Sequence, residues 1–193
     1  MRKNKQWFIT YFLIAVNIIM YLISAFLSEN IFDIDIRVLV YLGAKLNLLI
    51  DAGQYYRLIT CTFLHGGLMH IALNMYALYA IGPLIESTYG KLKFALIYFV
   101  SGITSSFFSY KFSNGVSIGA SGAIFGLLGA ALVLSIKMRK VIGEEFKRNI
   151  ISVILVNVII GLSISNIDNF GHLGGLIGGV LVSMLLFKRE DTL

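Results

Sequence analysis

The hydroxyl of Ser121, in "SIGASGAIFG", and the imidazole of His172, in "FGHLGG", are of the types that make a nucleophile and its general base. His70 and Asn74, in "LMHIALNM", stand four residues apart and project from one face of a helix. An imidazole and a carboxamide side by side suit the negative charge that develops on a carbonyl oxygen during acyl transfer. Each residue also has a plainer reading. Serine is common in close helix contacts, and His and Asn hydrogen-bond between helices in lipid. The elements that carry the four side chains decide between these readings.

Those elements are apolar. Of 193 residues, 58% are hydrophobic and only 13% charged, against the usual charged quarter of a soluble domain. The composition defines an all-α integral membrane protein and predicts one membrane-embedded domain over residues 1–193. Spans are expected at 7–27, 63–82, 94–110, 119–136, 150–166 and 170–187, six in all, each near the ~20 residues that cross a bilayer. The basic start "MRKNKQWF" leads into a run of span length without a small-residue cleavage site, so a retained first span is expected rather than a signal peptide. Residues 28–62 form one long connection, in which "IRVLVYLGAKLNLLI" is too short to cross but amphipathic enough to lie in the interface. The net charge of +6 is scattered between apolar runs with no basic stripe, which speaks against nucleic acid.

Charge asymmetry orients the spans. Arg2, Lys3, Lys5, Lys91, Lys93, Lys137, Arg139, Lys140, Lys147, Arg148, Lys188 and Arg189 fall on one side, and Arg37, Lys45, Arg57 and Lys111 on the other. The positive-inside rule then predicts cytoplasmic termini. It follows that the second, fourth and sixth spans enter from outside, which puts His70, Asn74, Ser121 and His172 together in the outer half of the bilayer. Polar side chains at such depth face the bundle interior or a water-filled cavity.

Small residues indicate which helices meet. Gly122, Gly126 and Ala130 recur every four residues, as do Gly171, Gly175 and Gly179. If the fourth and sixth spans pack through these stripes, Ser121 and His172 come within reach of each other. Other residues read more simply. Asp168 suits an N-cap at the entrance of the sixth span better than a triad carboxylate. His65 suits a loop contact, and Cys61 with His65 makes only a weak pair. No HExxH occurs and no span carries an interior Asp or Glu, which disfavours metallo- and aspartyl-protease chemistry. No cofactor or metal is expected. A transporter lined by His65, His70 and His172 stays open as an alternative.

At these residues the sequence resembles the rhomboid family of intramembrane serine proteases. "GQYYRLITCTFLHGGLMHIALNMYAL", "GASGAIFG" and "GHLGG" carry the resemblance, from about Gly53 to Gly179. It implies a six-transmembrane-helix bundle and an endopeptidase that cuts in or beside the transmembrane segments of single-span membrane proteins. Ser121 is then the nucleophile and His172 the general base of a dyad that forms an acyl-enzyme. The resemblance also implies that His70 and Asn74 stabilise the oxyanion with the Ser121 amide, that Gly119 shapes the neighbouring loop, and that Arg57 and Glu86 support the first loop and the end of the second span. Two departures stand out: Phe125 where many relatives carry Tyr, and Tyr56 where Trp is frequent. A bacterial cell membrane is the expected location, with the site opening to the outer face. A rhomboid-like protein that binds clients without cutting them is the alternative from the binding class.

Overall fold

The computed structural model describes residues 7–164 and 167–187. Arg2, Lys3, Lys5, Lys188, Arg189 and the last two residues of the expected fifth span lie outside them. The regular elements of the described residues are all helices, with two isolated bridges, Asp33–Gly67 and Lys45–Ser117, and no strand. Helix α1 is Phe8–Ser28, α2 Ile36–Leu42, α3 Asn47–Asp51 and α4 Arg57–Thr60, followed by a 3₁₀ turn at Cys61–Phe63. Then come α5 Leu68–Tyr89, α6 Lys91–Phe112, α7 Ser121–Lys137, α8 Arg139–Ile142, α9 Glu144–Ser163 and α10 Asn169–Leu186. Among them α1, α5, α6, α9 and α10 are long and apolar enough to cross a membrane. The apolar α7 has 17 residues, about 26 Å at 1.5 Å per residue, and falls short of that length.

Several expected boundaries move. The second span was expected at 63–82, but its helix starts at Leu68, because the 3₁₀ turn and residues 64–67 still belong to the entry loop. It then runs through Pro83 to Tyr89 and stops at Gly90. A proline inside a buried membrane helix is tolerated where neighbouring elements pack around it. The third helix extends the expected 94–110 to 91–112. The fifth begins at Glu144 rather than 150, its polar first turn held partly by Lys147 Nζ on Glu144 at 3.3 Å. The remaining spans shift by no more than two residues.

Close approach of backbones organises the bundle. A Cβ on Gly175 would collide with the Gly122 carbonyl, and one on Gly179 with the Gly126 carbonyl. The pairs advance together, so α7 and α10 run in the same direction through the two stripes. On α6 the order reverses: Ser105 fills the space beside Gly122 and Ser101 that beside Gly126. Gly178 and Gly174 of α10 meet Thr104 and Phe108 of the same helix. Helices α6, α7 and α10 thus form a tight three-helix centre in which van der Waals contact replaces the hydrophobic drive that lipid does not supply.

Helix α1 is fastened from α5. Trp7 stands at its N-cap with no capping side chain. Glu86 supplies the missing acceptors, taking the Ile9 N–H at 3.0 Å and the Thr10 N–H and hydroxyl at 2.8 Å each. A carboxylate that accepts from first-turn amides satisfies orphan donors and complements the helix dipole. Glu86 is itself buried, so its three partners are what make its burial tolerable. Arg57 has the matching task on the loop side. Its Nη1 donates to the Val40 and Ala44 carbonyls at 2.7 and 2.9 Å, and its Nε to Gln54 at 2.8 Å. The guanidinium also lies 5.4 Å from the ring centroid of Tyr56.

Candidate active site

Each candidate side chain leaves from the first two turns of its helix. Ser121 is the first residue of α7, His172 the fourth of α10, and His70 and Asn74 the third and seventh of α5. Three helix starts therefore gather at one end of the bundle. Ser121 Oγ and His172 Nε2 are 2.9 Å apart, a hydrogen-bond distance, and both residues are partly buried. Phe125, one turn beyond Ser121, stacks on the His172 imidazole with centroids 4.3 Å apart and planes at 13°. The departure from tyrosine at this position removes a hydroxyl and leaves the ring contact in place.

His172 Nδ1 has no partner among the described residues, and neither has Asp168 Oδ2. The other oxygen, Oδ1, accepts the Gly171 N–H at 2.9 Å, which makes Asp168 the N-cap of α10, as its sequence position predicts. A serine and a histidine without a carboxylate is the arrangement the described residues present. Ser121 as α7's first residue also has an N–H with no carbonyl one turn earlier to bind.

His70 approaches from α5. Its Nδ1 accepts from the Gly66 N–H at 3.4 Å, and an accepting Nδ1 assigns the ring proton to Nε2. That Nε2 lies 2.7 Å from where a Gly119 side chain would begin. Gly119 is required twice over, by this contact and by its φ of +113°. His65 is fully buried and stands edge-on to His70, with ring centroids 5.0 Å apart. Asn74 uses one amide proton on the His70 carbonyl at 2.9 Å, which leaves the other for an outside acceptor. Cys61 is buried with Sγ 3.1 Å from Ser106 Oγ, and its backbone carbonyl takes the Gly119 N–H at 2.9 Å. No group of three His, Cys, Asp or Glu able to hold a metal occurs among the described residues.

Sequence reasoning counted Lys45 only as an outer-side charge. The structure buries it completely and points its ammonium at the loop that leads into α7. Burial holds its pKa below the ordinary lysine range, partly opposed by the carboxylate of Asp168. Ser101 and Ser105 were passed over too, although small residues along α6 were a signal that could have found its packing face.

Apolar helices packed around a serine and a histidine at hydrogen-bond distance define a multi-pass integral membrane protein. The Rhomboid domain family model matches residues 52–189, and the chain belongs to the rhomboid family. It is 44% identical to "Rhomboid protease GluP" of Bacillus subtilis (strain 168) over 184 residues, covering 95% of this chain and 36% of that protein. It is 36% identical to "Putative rhomboid protease YdcA" of the same organism over 147 residues, covering 75% of this chain and 74% of the relative. With "RHOMBOID-like protein 1" of Arabidopsis thaliana it shares 35% over 148 residues, covering 75% of this chain and 38% of the relative. The chain spans little more than a third of the length of GluP and of RHOMBOID-like protein 1.

Proposed function

We propose that the protein is an intramembrane serine endopeptidase acting on single-span membrane proteins. The 2.9 Å contact between Ser121 Oγ and His172 Nε2 carries this reading. In the reaction, Oγ attacks the scissile carbonyl carbon while Nε2 takes its proton. The oxyanion accepts from His70 Nε2–H, the Ser121 N–H and the remaining Asn74 amide proton. Collapse leaves the acyl group on Ser121, and His172 returns the proton to the departing amine. Water, deprotonated by the same imidazole, then hydrolyses the ester.

The residues form one domain with six spans, α7 being the short fourth one. Its helical length is supplemented by the 113–120 segment that leads into it. Residues 28–62 lie along the outer interface and the termini are cytoplasmic, a reading the charge asymmetry supports. Identity to two Bacillus proteins supports a bacterial cell membrane. Reconstituted wild type mixed with single-span membrane proteins is expected to generate new termini by mass spectrometry that Ser121→Ala does not. The same termini from both, or none from either, overturn the reading.

Phenylalanine at position 70 keeps the ring's shape and removes its donor. His70→Phe is expected to lower kcat by about 10²–10³-fold, the usual cost of one oxyanion donor, with KM changed little. Steady-state kinetics on a membrane substrate measure this, and an unchanged kcat removes His70 from the oxyanion site.

A further inference from the structure

The serine begins a helix, so its position depends on the irregular segment 113–120 that delivers it. The ends of that segment are held very differently. At its C-terminal end Gly119 is tied to Cys61 O and stands against the His70 ring. The rest, from Ser113 to Ser117, has no regular structure of its own and takes its shape from the loop between α2 and α3. Lys45 and Ser117 exchange both main-chain bonds, at 3.0 and 3.1 Å. The Lys45 ammonium then reaches past this bridge and donates to the carbonyls of Ser113 at 2.8 Å and Gly115 at 3.1 Å. Asn47 adds Nδ2 contacts to Tyr110 O at 3.1 Å and Ser113 O at 3.2 Å.

An ammonium is suited to this place because it carries three donors and no acceptor at the end of a four-carbon stem. A fully buried charge is costly unless its donors are matched, so an apolar residue would fill the space more cheaply if packing were all that mattered. The loop that offers the lysine is itself rigid. Arg57 holds the carbonyl of Ala44, the residue next to it, and Ala44 N donates to Leu39 O at 2.9 Å. A continuous set of contacts thus runs from buried Arg57 through Ala44 and Lys45 to the segment that ends at Ser121.

We infer that Lys45 is a positioning residue for the reaction: it fixes residues 113–117 and, through them, sets the hydroxyl and amide of Ser121 against His172 and His70. The inference rests on the protease reading. Displacement of a nucleophile by about 1 Å costs on the order of 10²-fold in rate.

Lys45→Met tests it in the 193-residue chain, since the substitution keeps an unbranched stem of similar reach and the main-chain bridge to Ser117 and removes the ammonium with its charge and two bonds. With a membrane substrate, kcat is expected to fall by about 10–100-fold with KM within about twofold. Labelling of Ser121 by a fluorophosphonate should slow in proportion. The thermal midpoint in detergent is expected to stay close to that of wild type, and Lys45→Arg to recover part of kcat. Should Lys45→Met not fold, Lys45→Gln, whose neutral amide ends one atom short of the ammonium position, carries the same measurement. Unchanged kcat, or loss of turnover only in step with loss of folded protein, overturns the role. Full cleavage by Ser121→Ala defeats the protease reading itself; an inactive Ser121→Ala beside a fully active Lys45→Met defeats only the inference.

Discussion

Alanine at His172 is expected to lower kcat by at least about 10⁴-fold, Ser121→Ala to reach the same floor, and the double variant to fall no further. Under the proposed mechanism the contact between Ser121 Oγ and His172 Nε2 at 2.9 Å makes the two side chains one unit, so removing either removes the activated nucleophile. What remains is binding and whatever stabilisation His70, Asn74 and the Ser121 amide give to a reaction with water. Asp168→Asn separates this dyad from a triad. The aspartate caps α10 through Gly171 rather than bonding to the imidazole, and asparagine caps equally well, so kcat should change by less than about tenfold. In a triad the same change costs about 10⁴-fold. Initial rates on one membrane substrate, with folded protein quantified in each sample, decide between them. Additive losses in the double variant would mean that serine and histidine act in different steps.

The parts of this arrangement legible in the sequence are those that repeat or that violate lipid solubility. Apolar runs announce helices because uncharged stretches of that length have few alternatives in a membrane, and polar residues at one depth stand out against them. Glycines every four residues reveal the α7–α10 contact because the α-helix brings such positions to one face. Ends of helices carry no such period. Nothing local distinguishes the 3₁₀ turn at Cys61–Phe63 from a first helical turn, and Pro83 lies inside α5 next to Gly82, which packs against Thr10 of α1. Lys45 was opaque for a related reason. Its partners, Ser113 and Gly115, are about seventy residues away and are carbonyls, which any amino acid provides. The Phe125–His172 stack was foreseeable from the family resemblance, whereas the Glu86 bonds to the first turn of α1 needed the structure.

A single methyl group at position 175 is expected to lower both stability and turnover. In Gly175→Ala the new Cβ collides with the Gly122 carbonyl oxygen, and it lies 2.8 Å from that residue's carbonyl carbon and 3.1 Å from its Cα. These atoms are helix backbone, so no rotamer change makes room. Gly122 already lacks a side chain, so no truncation there compensates. The helices must separate, and the strain of such overpacking is on the order of 1–3 kcal/mol. Gly122 adjoins Ser121, and Gly175 lies three residues after His172, so the separation acts directly on the hydrogen bond between Ser121 Oγ and His172 Nε2. A lower thermal midpoint and a fall in kcat of about 10²-fold or more are expected together. Leu185→Ala on the same helix, at a side chain 84% exposed, serves as the control and should leave turnover unchanged. Wild-type turnover in Gly175→Ala would mean that α7 and α10 do not meet through these glycines. The small-residue stripe would then have no part in bringing the imidazole to the serine.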